Sequence, residues 1–197
     1  MTALSVNINT VATLRNARGG NVPNLLQMTK DIQKFGAQGI TIHPRPDQRH
    51  IRYEDALSLN NVVTTEFNIE GNPIPKFMEL VNSIKPTQVT LVPDSVDVLT
   101  SNKGWDTIAH KDYLKSIIKK LKIAGIRTSI FVDPDVSMVE SAKEIGTDRI
   151  ELYTETYAKE YLNSPEKAIA PFIKAAEKAV QLNLSLIHIS EPTRLHT

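Results

Sequence analysis

The sequence predicts a parallel α/β fold, and three observations carry that expectation. Short β-branched or apolar runs alternate with amphipathic helical patterns along the chain. A glycine recurs between a helical pattern and the next apolar run, in "FGAQGITI", "KIAGIRTSI" and "EIGTDRIEL". Ionisable and amide side chains gather where the apolar runs end. Strands joined by helical crossovers pair in parallel, because each crossover returns the chain to the same end of the sheet. A doubly wound sheet and a (β/α)8 TIM barrel both satisfy this pattern. Either places binding groups beyond the carboxyl ends of the strands. Neither a GxGxxG nor a GxxxxGK[ST] phosphate loop is present to favour a nucleotide fold.

The first run, "ALSVNI" over 3–8, ends near Asn7 and Asn9. A helix follows in "PNLLQMTKDIQKFGA", with Leu25, Met28, Ile32 and Phe35 predicted on one face and Gly36 closing it. "GITIH" over 39–43 is the second strand. It ends in His43, and two prolines stiffen the loop that presents Arg45 and His50. "VTTEFNI" over 63–69 is the third strand, continued by Glu70. "PIPKFMELVNSIKP" aligns Phe77, Leu80, Val81 and Ile84 before Pro86 stops the helix.

"QVTLV" over 88–92 is the fourth strand, with Thr100 beyond it. "DTIAHKDYLKSIIKKLKIAG" aligns Ile108, Leu114, Ile117, Ile118 and Leu121, and stops at Gly125. Its lysines, among them Lys111, Lys115 and Lys119, fall on the polar side of that pattern, a wetted helix face. "RTSIFV" over 127–132 is the fifth strand, followed by Asp133 and Asp135. "DVSMVESAKEIG" aligns Met138, Val139, Ala142 and Ile145, and "RIELY" over 149–153 carries Glu151. The last helical pattern, "SPEKAIAPFIKAAEKAVQLN", opens with Ser164 as N-cap and Pro165 in the first turn; Pro171 marks a kink.

Composition narrows the function classes. The chain has 197 residues, 41% of them apolar, and 23 basic against 22 acidic residues for a net charge of +1. That balance offers no nucleic-acid surface. Cysteine is absent, which excludes disulfides, thiolate catalysis and Cys-ligated zinc and fits a reducing compartment. The N-terminus lacks a signal-peptide pattern, and no apolar run approaches the roughly 18 residues of a membrane span. A cytoplasmic protein acting on small molecules, with no membrane partner, is expected.

The strand-end residues supply the candidate chemistry. A neutral imidazole at His43 accepts or donates a proton near neutral pH. Arg45 and Arg18 offer planar forks of donors suited to phosphate or carboxylate, and His50 adds another donor. Glu70 is suited to general-base work if burial raises its pKa. An isolated arginine reads as surface charge, and an isolated strand-end histidine as a hydrogen-bonded cap; the cluster favours acid–base chemistry on a phosphorylated small molecule. For a metal, His43, His50 and Glu70 have no compact ligand spacing, and "DPD" at 133–135 reads equally well as a turn. No metal is expected.

The motifs "VNINTVATLRNARGG" (6–20), "GITIHPRPDQRHI" (39–51), "FNIEG" (67–71), "TLVPD" (90–94) and "GIRTSIFVDPD" (125–135) closely resemble the pyridoxine 5′-phosphate synthase family, from about Leu4 to about Asn183. The resemblance implies a TIM barrel assembled as a homo-octamer, and a cofactor-free transferase of vitamin B6 biosynthesis. That enzyme condenses 1-deoxy-D-xylulose 5-phosphate with 3-amino-2-oxopropyl phosphate to give pyridoxine 5′-phosphate, phosphate and water. It implies proton transfer by His43 and Glu70 and a carboxylate near the reacting groups at Glu151. It also places Asn7 and Arg18 at the aminooxopropyl phosphate, and Arg45, His50 and Thr100 at the deoxyxylulose phosphate. Asn9 and Thr10 stand where the family often has Asp-His, so Asn9 keeps a hydrogen-bonding side chain and Thr10 lacks the imidazole. The competing reading is a non-catalytic or aldolase-like phosphosugar-binding barrel. A Schiff-base aldolase needs a strand lysine, and none of the six predicted strands contains one.

The end of the chain departs from this pattern. "LSLIHISEPTR", Leu184 to Arg194, resembles a translated sequencing adapter, and the family's "NAGH"-like motif and Gly-rich final loop are not found. The expectation is a partial barrel of about six β/α units over 1–183 and a non-native tail over 184–197. Barrels of this class run to about 250 residues, so the 197-residue chain itself is expected to be poorly soluble or inactive.

Overall fold

The computed structural model describes residues 2–94 and 103–188. Among the described residues seven strands are joined by eight helices, one per connection except for two each between the first and second and between the sixth and seventh strands, and the chain divides into two compact units. The first comprises Met1–Thr100 and Lys120–Thr128, the second Ser101–Lys119 and Ser129–Thr197.

The first unit holds β1 (Ser5–Asn7), α1 (Asn9–Arg18), α2 (Leu25–Lys34), β2 (Gly39–Ile42), α3 (Tyr53–Asn60), β3 (Glu66–Gly71), α4 (Pro75–Ile84) and β4 (Gln88–Leu91). The four strands are parallel and neighbour one another in chain order. Register pairs Asn7 with Thr41, Thr41 with Asn68, and both Asn68 with Gln88 and Glu70 with Thr90. Because strand side chains alternate in direction, this alignment sorts them into two faces. Ile40, Ile42, Ile69, Val89 and Leu91 share the apolar face and are fully buried, as are Leu59 and Val81 of the helices.

The opposite face is polar and hydrogen-bonded across the strands. The Ser5 and Thr41 hydroxyls lie 2.8 Å apart, and Asn68 Nδ2 donates to Thr41 Oγ1. Gln88 Nε2 and Thr90 Oγ1 both donate to Asn68 Oδ1 at 3.1 Å. Arg127 Nε donates to Gln88 Oε1 at 2.8 Å, and its two terminal nitrogens pair with the Glu66 carboxylate. Buried amides and hydroxyls are tolerated there because each finds a partner.

The second unit holds most of α5 (Lys111–Ile123) and β5 (Arg127–Val132), then α6 (Val136–Ile145), β6 (Arg149–Leu152), α7 (Glu155–Glu160), α8 (Pro165–Gln181) and β7 (Ser185–His188). β5 pairs with β6 and β6 with β7, both in parallel. The run over 185–188 therefore forms a seventh strand, beyond the six predicted units. Asp135 caps α6, its carboxylate accepting the backbone N–H groups of Ser137 and Met138; the Ser137 hydroxyl, which also donates to it, does most to hold its pKa below the ordinary range, and the two backbone N–H groups add to this.

Several expectations change. In α2 the inward residues are Leu25 and Thr29, whereas Met28 is 36% and Phe35 85% exposed. Thr29 is accommodated because its hydroxyl donates to the Leu25 carbonyl at 2.8 Å, so the helix turns a mixed rather than a purely apolar stripe inward. α5 starts at Lys111 rather than Asp106. The Asp106 carboxylate takes the N–H groups of Ile108 and Ala109 into a turn, which leaves Ile108 exposed. The Ser164 side chain makes no cap hydrogen bond, although Pro165 does open α8 and Pro171 lies within it. Helices α1, α3 and α7 were not predicted: α1 buries only Ala12 and Arg15, α3 only Ala56 and Leu59, and α7 nothing.

One glycine governs the segment entering α5. A Cβ on Gly104 would sit 2.4 Å from backbone atoms of Val132 and Asp133, while Gly104 N–H donates to Asp133 Oδ1 and Trp105 N–H to the Phe131 carbonyl. Only a residue without a side chain permits that approach. Gly104→Ala is expected to cost about 1–3 kcal/mol through forced backbone displacement, read as a lower urea midpoint at unchanged slope.

Candidate active site

The carboxyl ends of β1, β2 and β3 bring together most of the predicted residues of the first unit. Asn7 ends β1, and its Oδ1 accepts the Asn9 N–H at 2.9 Å, turning the chain into α1. Asn9 Oδ1 in turn accepts the His43 N–H at 2.9 Å. Asn7 thus fixes the start of α1 and Asn9 the end of β2, and the Asn9 oxygen is already engaged by backbone.

His43 follows β2 and is 7% exposed. Burial, reinforced by the nearby Arg45 and His50 charges, pushes its pKa down to about 3, so the ring is neutral at physiological pH. Its Nδ1 lies 4.0 Å from Glu70 Oε2 of β3. That spacing lets both groups address one small molecule and contract on proton exchange. Behind Glu70, the missing Cβ of Gly71 leaves room for the Phe77 ring, which a Cβ would meet at 2.3 Å.

Arg45 is buried, and its Nη1 donates to Asp94 Oδ2 at 2.5 Å. Asp94 is itself buried, and its carbonyl accepts Asn72 Nδ2 at 3.0 Å. Asp94 is a site residue that sequence reasoning missed. Its signal was its position just past β4, at the strand end already rich in polar groups. The partnership holds a planar cation at the site without leaving it uncompensated in the interior.

His50 is half-buried and its pKa is lowered, first by burial and then by the Arg45 and Arg49 charges. Its ring centroid lies 6.1 Å from that of His43. Arg18 ends α1 in solvent, and no contact among the described residues ties it to this group. Thr100 lies outside the described residues, and Thr10 is exposed on the first turn of α1.

In the second unit Glu151 occupies β6, in register with Phe131 and Ile187. It is 4% exposed, and its Oε2 has no hydrogen-bond partner among the described residues. Burial pushes its pKa up to about 7, so near neutral pH it holds or releases a proton readily. Among the described residues no group of three or more His, Asp or Glu is arranged to hold a metal ion, and no helix is long and apolar enough to cross a membrane.

These shifts set opposite pH dependences. An unfolded carboxyl ionises near 4.5, whereas Glu151 waits until about 7, so its burial lowers stability progressively as pH rises through that window. Glu151→Gln should therefore gain on the parent protein between those two values and keep a constant lead above them. For His43 the unfolded ring protonates near 6.5 and the folded one near 3, so stability falls as pH drops between them. His43→Gln should flatten that decline. Urea midpoints across a pH series read both, and pH-independent differences would remove the assignments.

Comparison with known proteins identifies the family. The family described as pyridoxal phosphate biosynthesis protein PdxJ matches residues 4–188. The chain is 61% identical over 186 residues to pyridoxine 5′-phosphate synthase of Flavobacterium johnsoniae, covering 94% of this chain and 78% of that protein. It is 60% identical, with the same coverage, to the synthase of Cytophaga hutchinsonii. Among solved structures, mandelate oxidase with a difluoro-hydroxyphenylpropionic acid superposes with a TM-score of 0.58 at 8% identity, covering 92% of this chain and 66% of that one. Monomers of phosphoribosylanthranilate isomerase from Thermotoga maritima superpose at 0.52 and 14% identity, covering 99% and 90%. At such identities the likeness concerns the fold alone. Sequence identity above half, carried across strand ends whose side chains converge as described, places the chain in the pyridoxine 5′-phosphate synthase family.

Proposed function

We propose that His43, Glu70 and Glu151 carry the proton transfers by which this synthase joins 1-deoxy-D-xylulose 5-phosphate to 3-amino-2-oxopropyl phosphate. The observation that supports this most directly is the approach of His43 to Glu70 beside a buried Arg45. A neutral imidazole and a carboxyl group addressing one small molecule are placed to pass protons to and from it. The substrate amine attacks the sugar ketone, and His43 and Glu70 move protons through dehydration and enolisation. Phosphate and a secondary hydroxyl of the sugar, the latter as water, then leave, one water adds, and ring closure with a further dehydration gives the aromatic product, so that water is released overall. Glu151, with its proton held near neutral pH, serves as acid or base at the reacting groups.

Arg45 and His50 take the sugar phosphate; Asn7, Asn9 and Arg18 take the amino-ketone phosphate. Thr100 joins the sugar-phosphate side. Orientation, charge compensation and proton transfer then account for catalysis without a cofactor. We also propose that the full-length protein closes as a TIM barrel, assembles as a homo-octamer and works in the cytoplasm. The family resemblance supports these three points. The aldolase-like alternative gains nothing from the described strands, since none carries a lysine.

In the full-length protein, His43→Ala and Glu70→Gln are each expected to lower kcat by about 10²–10⁴, the range of general acid–base catalysis. Asp94→Asn is expected to act chiefly on KM for the sugar phosphate, because it loosens the arginine rather than removing it. Steady-state turnover with both substrates decides: unchanged rates in the first two variants end the assignment of proton transfer to them.

A further inference from the structure

The loop between β2 and α3 is tied to α1 by side chains outside the proposed catalytic set. Arg15 of α1 is 6% exposed, and its guanidinium bonds both oxygens of Asp55 on α3, at 2.6 and 2.8 Å. The neighbouring Asn16 accepts Arg15 Nε and Nη2 at its Oδ1, at 3.1 and 2.9 Å. That leaves the Asn16 amide nitrogen facing the loop, where it donates to the carbonyls of Arg49 at 3.1 Å and His50 at 2.8 Å. Arg15 Nη2 adds a longer bond to the His50 carbonyl at 3.4 Å. Asp55 also accepts the Arg52 N–H at 2.8 Å, so the far end of the loop is fixed by the same carboxylate.

These bonds have a chemical consequence at His50. The His50 carbonyl and the Ile51 N–H belong to one planar peptide group. Holding the carbonyl toward Asn16 directs that N–H the opposite way, and it meets His50 Nδ1 at 2.9 Å. A backbone N–H can only donate, so Nδ1 must be the unprotonated nitrogen and the single proton of the neutral ring sits on Nε2.

We infer that Arg15, Asn16 and Asp55 are positioning residues that lock His50 as an Nε2–H donor, so that His50 binds an acceptor oxygen of the ligand and does not act as a base. The inference deepens the proposed function, because the acceptor class it names is a hydroxyl or phosphate oxygen of the sugar phosphate. Free histidine favours the same tautomer only weakly; the clamp makes it exclusive by supplying a donor that the other tautomer would oppose.

Long-range ¹H–¹⁵N correlation spectra of the histidine-labelled 197-residue chain test it, with His50→Gln assigning the ring. The expected pattern is an imine-type Nδ1 and a pyrrole-type Nε2 at neutral pH. Asn16→Asp keeps the size of the side chain and the acceptor for Arg15 but abolishes the two donations to the loop. It is expected to give averaged ring nitrogens, with the native circular dichroism retained, whereas Asn16→Gln restores part of the locked pattern. A ring protonated at Nδ1 in the parent chain overturns the inference without any variant, as does an unchanged locked pattern in Asn16→Asp. In the full-length protein, the Asn16→Asp variant should raise KM for the sugar phosphate about tenfold, with kcat changed far less. An equal fall in kcat at unchanged KM overturns the donor role. A locked ring in a full-length protein without turnover would instead remove the synthase mechanism and leave the clamp standing.

Discussion

The first unit depends on the polar row that crosses its parallel strands on the face opposite the core. Ser5, Thr41, Asn68, Gln88 and Thr90 are linked side chain to side chain, and the Arg127–Glu66 pair closes the row. Its effect is on register. Sliding any strand by one residue would exchange Ile40 for Thr41, or Ile69 for Asn68, placing a buried amide against hydrocarbon and an isoleucine in the row. Unmade hydrogen bonds in a buried position cost more than made ones contribute, so the row penalises misalignment more than it stabilises the native pairing.

Register then sets the geometry of the candidate site. With Asn68 held opposite Thr41 and Gln88, the next inward positions along the same strands are His43 and Glu70. Their 4.0 Å approach is a result of the alignment two residues earlier. The charged groups around them are held rather than free. Arg45 is gripped by Asp94 and the His43 backbone by Asn9, so these two groups are held in place by the fold itself. Burial also separates the titrations: His43 is driven down, Glu151 up. Two groups of different ordinary pKa thereby both remain neutral over part of the range below pH 7.

In the second unit the controlling constraints are steric as well as polar. Gly104 admits backbone against backbone at the end of β5, and Asp133 and Asp135, which sequence left between turn and ligand, are engaged by Gly104 N–H and by the α6 N-terminus. The predicted tail over 184–197 begins with β7, paired along β6 from Ser185 to His188, and the family match also runs to 188. Residues 189–197 lie outside the described residues.

Sequence alone determined the parallel α/β class, the positions of the strands and the strand-end location of His43, Glu70 and Glu151. It did so because hydrophobic period, glycine stops and parallel crossovers are local or topological properties. It also determined the family, through motifs whose residues are contiguous. Helices α1 and α3 were illegible because each buries only two residues, one of them an arginine in α1, and so shows almost no apolar stripe. The supports of the site were illegible for a different reason. Asp94 lies 49 positions from Arg45, and Asp55 lies 40 from Arg15, so no window of sequence contains either pair. Whether a histidine is a base or a donor is likewise set by the group that meets its other nitrogen. For His50 that group is a backbone N–H whose direction is fixed by a residue of α1, and only the folded chain brings the two together.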